Sequence, residues 1–352
     1  GYIRLVELDP KTGKRLNPIV KPVNIAINSE ASIMIYHEGW YYLLVTHGSC
    51  CRGADSGYNI RVGRAKKITG PFLDNMGVDM LQGGGKLFAA SFGRVIGPGH
   101  FGLFDLGDGV QRFSLHYEAD LDRGGASVLD IRPLLWKDGW PVAGENLQAG
   151  TYQFESVRTG TVLELAVEGF PVGGRPVRRG PPPGVAGRPP GAPGGNAGPP
   201  PGGGGIFAGT GKPIPTQDVA EVSTKWPAGN VDVRMGNYMC QAQQKWTIEP
   251  VPEAGGYLGA PYFKITIAGT NRTLAATEGA ELVVLPAFTG SAEQLWRVDQ
   301  LADGSWRISP KAIPNAPHLK DPFVLSAVGS SFATLAKFDP KGEKQRWLLK
   351  TP

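Results

Sequence analysis

The sequence predicts an all-β chain, and three observations lead there. Apolar runs rich in Ile, Tyr, Leu and Val recur with turn residues between them, strand-type patterns far outnumber helical ones, and glycine and proline, 51 and 31 of 352 residues, exceed ordinary usage. A chain of this length with 41% hydrophobic residues can bury substantial cores and suggests about two domains. No apolar run approaches the roughly 20 residues that span a bilayer, so no membrane partner is expected. The net charge of +5 and pI near 9.0 describe a mildly basic surface and do not by themselves call for nucleic acid. The chain opens on Gly1 with neither an initiator Met nor a signal-peptide pattern, and Gly1 is read as a cut end, of a processed chain or of a longer gene product.

Tyr2 to Leu8 alternates as a strand and is closed by the turn Asp9-Pro10-Lys11-Thr12-Gly13. The first half is organised around Asn28 to Arg64. Runs at Ile33–Tyr36, Trp40–Val45 and Asn59–Val62 read as one antiparallel unit, broken by His37-Glu38-Gly39 and by the polar loop Cys50 to Gly57. Glu30 stands at the start of the first strand, a position that bladed β architectures turn toward a central channel. The loop adds Cys50, Cys51, Arg52 and Asp55. Adjacent cysteines lack the spacer of a zinc motif, and buried free thiols lining a pocket are expected here rather than a vicinal disulfide.

The string CCRGADSGYNIRVGRAKKITGPF resembles the fourth-blade sequence of the arabinanases and arabinofuranosidases of glycoside hydrolase family 43. A Glu-Ala dipeptide opens that blade in the family and carries the general acid. It matches Glu30-Ala31, although Ser32 stands where the family usually has Pro. An acid in that role stays protonated near neutral pH only if burial or a neighbouring carboxylate raises its pKa. Cys51, Arg52 and Asn59 are the matching candidates for substrate contact.

The unit from about Gly83 to Trp140 resembles the family's fifth blade. The match puts His100 where members have a histidine near a metal ion, often calcium, so calcium in a propeller channel is the implied cofactor. Gly97-x-Gly99-x-x-Gly102 is rejected as a dinucleotide fingerprint, because proline sits inside it and a short strand, not a helix, follows. His37 and His47 are read as structural. His116 stands at a strand end beside acids, as a structural or a site residue. Arg132 is expected to hold a blade-closing carboxylate.

Beyond Pro141 the character changes. A strand pair is expected within 145–170, and Pro171 to Gly205 is almost pure Pro, Gly, Ala and Arg, which should remain disordered. Arg175, Arg178, Arg179 and Arg188 make it basic, but with no aromatic residue interleaved to stack on bases it is read as a solvated insert. Gln244-Lys245-Trp246, Gln294-Leu295-Trp296 and Gln345-Arg346-Trp347 then recur about fifty residues apart. Three such motifs resemble the ricin-B-type β-trefoil, in which each Trp packs a shared core.

The resulting expectation is an all-β chain: the C-terminal part of a five-bladed β-propeller over 1–143, then a β-trefoil over 144–352 with a low-complexity insertion at 171–205. The resemblance implies a glycoside hydrolase acting on α-L-arabinofuranosyl linkages of arabinan-type polysaccharide, with inversion and Glu30 as acid. It implies a polysaccharide or oligosaccharide partner, no nucleic acid, and a secreted or periplasmic location. The family's general base and its second aspartate belong to earlier blades and have no counterpart here, so the chain is expected to be inactive alone. The competing expectation is a non-catalytic carbohydrate-binding or structural protein.

Overall fold

The structure is a computed structural model that describes all residues except 106, 121–123, 168–217, 258 and 317–321. The insertion expected at 171–205 lies outside the described residues. Among the described residues the secondary structure is β, apart from a five-residue helix at Val219–Ser223 and short 3-10 turns.

Strands β1 (Tyr2–Leu5) and β2 (Val23–Ile27) form an antiparallel pair. The expected strand over Tyr2 to Leu8 is cut short, and its partner β2 was not foreseen, because Val23-Asn24-Ile25-Ala26-Ile27 follows Pro22 with little alternation. The Asp9 turn forms as read, with Asp9 Oδ1 accepting the Lys11 N–H at 2.7 Å.

Next come β3 (Ser29–His37), β4 (Trp40–His47), β5 (Asn59–Ala65) and β6 (Lys86–Ala89), a four-stranded antiparallel sheet in sequential order. A second sheet follows from β7 (Gly99–Asp105), β8 (Gln111–Asp120), β9 (Ala126–Lys137) and β10 (Trp140–Ala143). The unit expected from Gly83 is thus divided: Lys86–Ala89 pairs with β5 and completes the first sheet.

The continuous apolar run of β4 is explained by burial on both faces. Tyr42 and Leu44 enter a core shared with the second sheet, where Phe88, Phe101 and Phe113 meet at 5.0–5.4 Å between centroids. Leu43 and Val45 enter the opposite core with Ile25, Phe72 and Met80. Arg132 pairs with Asp130 (2.6 Å) and Glu145 (3.0 Å), holding carboxylates as expected.

The C-terminal strands are β11 (Gly150–Ser156), β12 (Val162–Leu165), β13 (Val231–Gly236), β14 (Trp246–Tyr257), β15 (Ala260–Ile267), β16 (Thr273–Ala276), β17 (Leu282–Leu285), β18 (Trp296–Gln300), β19 (Trp306–Pro310), β20 (Phe323–Val328), β21 (Phe332–Lys337) and β22 (Trp347–Lys350). All but β20 and β21, which pair as a separate hairpin, join one ladder that closes on itself through β11–β12 and β15–β18. Three repeats stand out within it. Trp246, Trp296 and Trp347 are fully buried, and each indole N–H donates to a backbone carbonyl, of Leu163, Leu274 and Leu325 at 2.8–3.0 Å. Gln244, Gln294 and Gln345 each use both ends of the amide. Oε1 accepts from the backbone N–H of Met239, Thr289 or Asp339, and Nε2 donates to the carbonyl of Asn237, Ala287 or Lys337. The Gln-x-Trp spacing therefore encodes one turn-and-anchor device used three times.

The two regions meet through buried charge. Arg307, fully buried on β19, donates to Asp108 and to Asp299 at 3.0 Å each, and the Trp136 N–H donates to Ala302 O at 2.8 Å.

Candidate active site

Two irregular strand starts build the site. In β3 the register slips between Glu30 and Ile33, with Ala31 at φ +47°, and in β7 it slips between Gly99 and Gly102, with His100 at φ +57°. Such bulges re-aim a side chain that a regular strand would turn into the sheet. Thr46 joins them: it lies opposite Glu30 in the β3–β4 ladder, and its Oγ1 accepts the His100 N–H at 2.9 Å.

Glu30 is exposed, and its Oε1 accepts a hydrogen bond from the hydroxyl of Tyr58. Tyr58 is buried at the entry to β5, and burial, then its bond to Glu30 and the charges of Glu30 and Glu118, push its pKa up to about 12. It is therefore a neutral donor across the physiological range. Gly99 makes room for it: a Cβ there would come within 2.7 Å of the Tyr58 ring and 3.0 Å of Thr46. Gly97, at φ +60°, likewise leaves space for Ser56. The Gly-Pro-Gly-His segment is thus packing for the neighbouring strand as much as a turn.

His100 Nδ1 lies 2.7 Å from Nε2 of His116, so one ring donates to the other. Both rings sit 6.1 Å from the Tyr58 ring, centroid to centroid. Burial and then the His100 charge hold the His116 pKa below the usual imidazole value, against an opposing pull from Glu118. The structure sets His116 against His100 and Tyr58. His37 instead stacks on Trp136 at 3.6 Å, a structural contact.

The polar loop carries a disulfide between Cys50 and Cys51, which corrects the expectation of buried free thiols. Neither residue is buried, and Cys51 at φ +65° belongs to a tight turn that brings the neighbouring sulfurs together. The Arg52 side chain is exposed, while its N–H donates to Ser56 Oγ at 2.9 Å. Asn59 spends its side chain locally, donating to Gly57 O at 3.1 Å and accepting from Arg61 Nε at 3.0 Å.

Among the described residues no group of three His, Cys, Asp or Glu side chains converges to hold a metal. Calcium takes six to eight oxygen ligands, whereas this cluster offers two imidazoles already bonded to each other. The donors of these strands do not by themselves fit a hard cation. Tyr58, Thr46 and Glu118 were missed by sequence reasoning; only the clustering of Ser56, Tyr58 and Asn59 before an apolar run hinted at the first.

The arrangement is a carboxyl group at a strand start, addressed by a neutral phenol and flanked by paired imidazoles, on antiparallel sheets that share a core. Residues 1–141 match the family model of glycosyl hydrolases family 43. The chain is similar to the extracellular endo-alpha-(1->5)-L-arabinanase 1 of Bacillus subtilis, 37% identical over 142 residues that make up 40% of this chain and 42% of that enzyme. It is also similar to the extracellular exo-alpha-(1->5)-L-arabinofuranosidase ArbA of Cellvibrio japonicus, 41% identical over 33% of each chain. Among solved structures, the Cellvibrio cellulosa alpha-L-arabinanase complexed with arabinohexaose matches 41% of this chain and 50% of its own, at 31% identity and a TM-score of 0.38. The chain thus spans half or less of the length of these relatives. Among the described residues no helix is long and apolar enough to cross a membrane.

Proposed function

We propose that the protein takes part in hydrolysis of α-L-arabinofuranosyl linkages in arabinan-type polysaccharide, with Glu30 as the general acid. One observation carries the reading: within the segment that matches family 43, Glu30 stands at a bulged strand start, addressed by a tyrosine that stays protonated to about pH 12, and the burial that an acid needs is to be supplied by neighbouring blades and bound sugar, since the described residues leave Glu30 exposed. A neutral phenol hydrogen-bonded to a carboxyl group can orient it without adding charge, which leaves its other oxygen free to face a leaving group. The two sheets are read as consecutive blades of a five-bladed propeller. The C-terminal region is read as a ricin-B-type β-trefoil, on the strength of its three equivalent Gln-Trp anchors. An extracellular setting follows from the substrate class and from the two extracellular relatives.

Inversion needs a second carboxylate on the opposite face of the sugar, about 6.5 to 9.5 Å from the acid, to activate water. Glu118 does not serve, because its oxygens are already engaged by Cys51 and Ser56. We therefore assign this chain the acid half of the reaction and expect it to be inactive alone. A calcium ion near His100 would find one remaining imidazole nitrogen and would complete its shell with water, and no step here runs through it.

The test is product analysis by proton NMR. The chain alone should leave linear arabinan intact, whereas the chain joined to the unmatched portion of the Bacillus subtilis relative should release the inverted anomer first. Retention of configuration, or hydrolysis by the chain alone, would contradict the assignment.

A further inference from the structure

Among the described residues, Glu118 is the one buried carboxylate beside the site that this reading leaves without a role. It is 3% exposed on β8, in the second sheet, yet its partners lie on the loop of the first. Oε1 accepts the N–H of Cys51 at 2.5 Å, and Oε2 accepts the Ser56 hydroxyl at 2.6 Å. The Arg52 N–H reaches the carboxylate through Ser56 Oγ, which accepts it at 2.9 Å and donates to Oε2. Cys51 at φ +65° and Gly53 at φ +57° flank Arg52 at φ −120°, an alternation that presents the Cys51 amide to the carboxylate directly and the Arg52 amide to it through Ser56.

A second contact docks the same loop. Gly125, in the β8–β9 connection at φ +80°, packs so closely that a Cβ on it would lie 2.5 Å from the Gly53 Cα. Beyond Ser56, the Gly57 N–H is fixed to Ser49 O at 2.9 Å, and the next residue is Tyr58. The carboxylate therefore controls the backbone that delivers the phenol to Glu30.

We propose that Glu118 is a positioning residue, whose carboxylate clamps the disulfide loop of the first sheet onto the second and thereby sets where the Tyr58 hydroxyl meets Glu30. The proposal rests on the reading of Glu30 as the acid, but its mechanical content does not. A neutral side chain that keeps one acceptor oxygen should hold the loop in part, and a methyl group should release it.

The experiment uses the full chain with 13Cζ-labelled tyrosine, as wild type, Glu118→Gln, Glu118→Ala and Glu30→Gln. Hydrogen exchange of amides 50–57 should rise at least about tenfold in Glu118→Ala, the scale of one lost charge-assisted hydrogen bond, and less in Glu118→Gln. The Tyr58 resonance in Glu118→Ala should move in the direction and to the extent seen in Glu30→Gln, with Glu118→Gln between. Because neither readout needs turnover, an inactive Glu30 would leave both unchanged while sinking the proposed function. Faster loop exchange with an unmoved Tyr58 signal would reduce Glu118 to a loop anchor and overturn the proposal, as would wild-type exchange in both variants. If Glu118→Ala fails to fold, Glu118→Gln decides alone, and a wild-type Tyr58 signal in it overturns the proposal.

Discussion

The N-terminal sheets and the C-terminal lobes both bury polar side chains, but they use them differently. In the lobes, Gln244, Gln294 and Gln345 make the same two backbone contacts beside the same buried Trp, three times over. Around Glu30 the polar groups are each used once: Tyr58 on a carboxyl group, one imidazole on another, Glu118 on the Cys51 amide and the Ser56 hydroxyl. A contact repeated at every equivalent position answers a need of the fold, because each lobe presents the same unsatisfied turn. Groups gathered once, on bulges with positive φ and partly open to solvent, cost stability that the fold alone does not require.

That contrast breaks first at the tryptophans. Replacing Trp246, Trp296 or Trp347 by Ala should each cost about 3–5 kcal/mol, since each loses a buried ring and strands a carbonyl. Urea unfolding of the three variants should give similar losses, and a value below about 1 kcal/mol at one position would end the equivalence. Gln294→Ala should cost less, about 0.5–1.5 kcal/mol for each of the two hydrogen bonds its amide makes, to the Thr289 N–H and the Ala287 carbonyl.

Acid separates the regions next. Burial alone would raise the Glu118 carboxyl, but the hydrogen bonds from Ser56 and from the amides of Cys51, Gly53 and Arg52 outweigh it and hold the pKa below the usual range. A depressed folded-state pKa stabilises above the unfolded value and loses that stabilisation as pH falls through the folded one. Exchange protection of loop 50–57 should therefore persist down to about pH 4, the ordinary Glu value, and vanish below it. The anchors at Gln294 and Gln345 bond to backbone groups rather than to a carboxylate, so their protection should show no such local step. Protection of the loop lost already near neutrality would place the proton elsewhere.

Much of this was legible in the sequence. Apolar runs bounded by turn residues gave β3, β4 and β5 within a few residues, and three Gln-x-Trp triplets marked the three equivalent Gln-Trp anchors, because local pattern decides both. The strand start that carries Glu30 was legible too. Tyr58 and Glu118 were not, since their meaning lies in partners 28 residues and, for the Cys51 amide, 67 residues away. The Cys50–Cys51 bond was misjudged for a related reason: adjacency gave no sign of the positive-φ turn that allows it. Strand β2 escaped because its partner β1, not its own pattern, makes it a strand.

The smallest effect concerns stability at Glu30 itself. As an exposed residue outside any core, Glu30→Gln should shift the unfolding free energy by no more than about 0.5 kcal/mol. A larger loss would make the carboxyl group part of the fold and blur the distinction between the regions.

The most direct measurement is made in the chain joined to the unmatched portion of the Bacillus subtilis relative, comparing wild type with Glu30→Gln on two substrates. Unactivated arabino-oligosaccharides need a proton on the departing oxygen, whereas aryl arabinofuranosides with good leaving groups need it far less. The account predicts at least about a hundredfold loss of turnover on the first and a much smaller loss on the second, the pattern of a missing general acid. Equal losses on both substrates, or none on either, would contradict it.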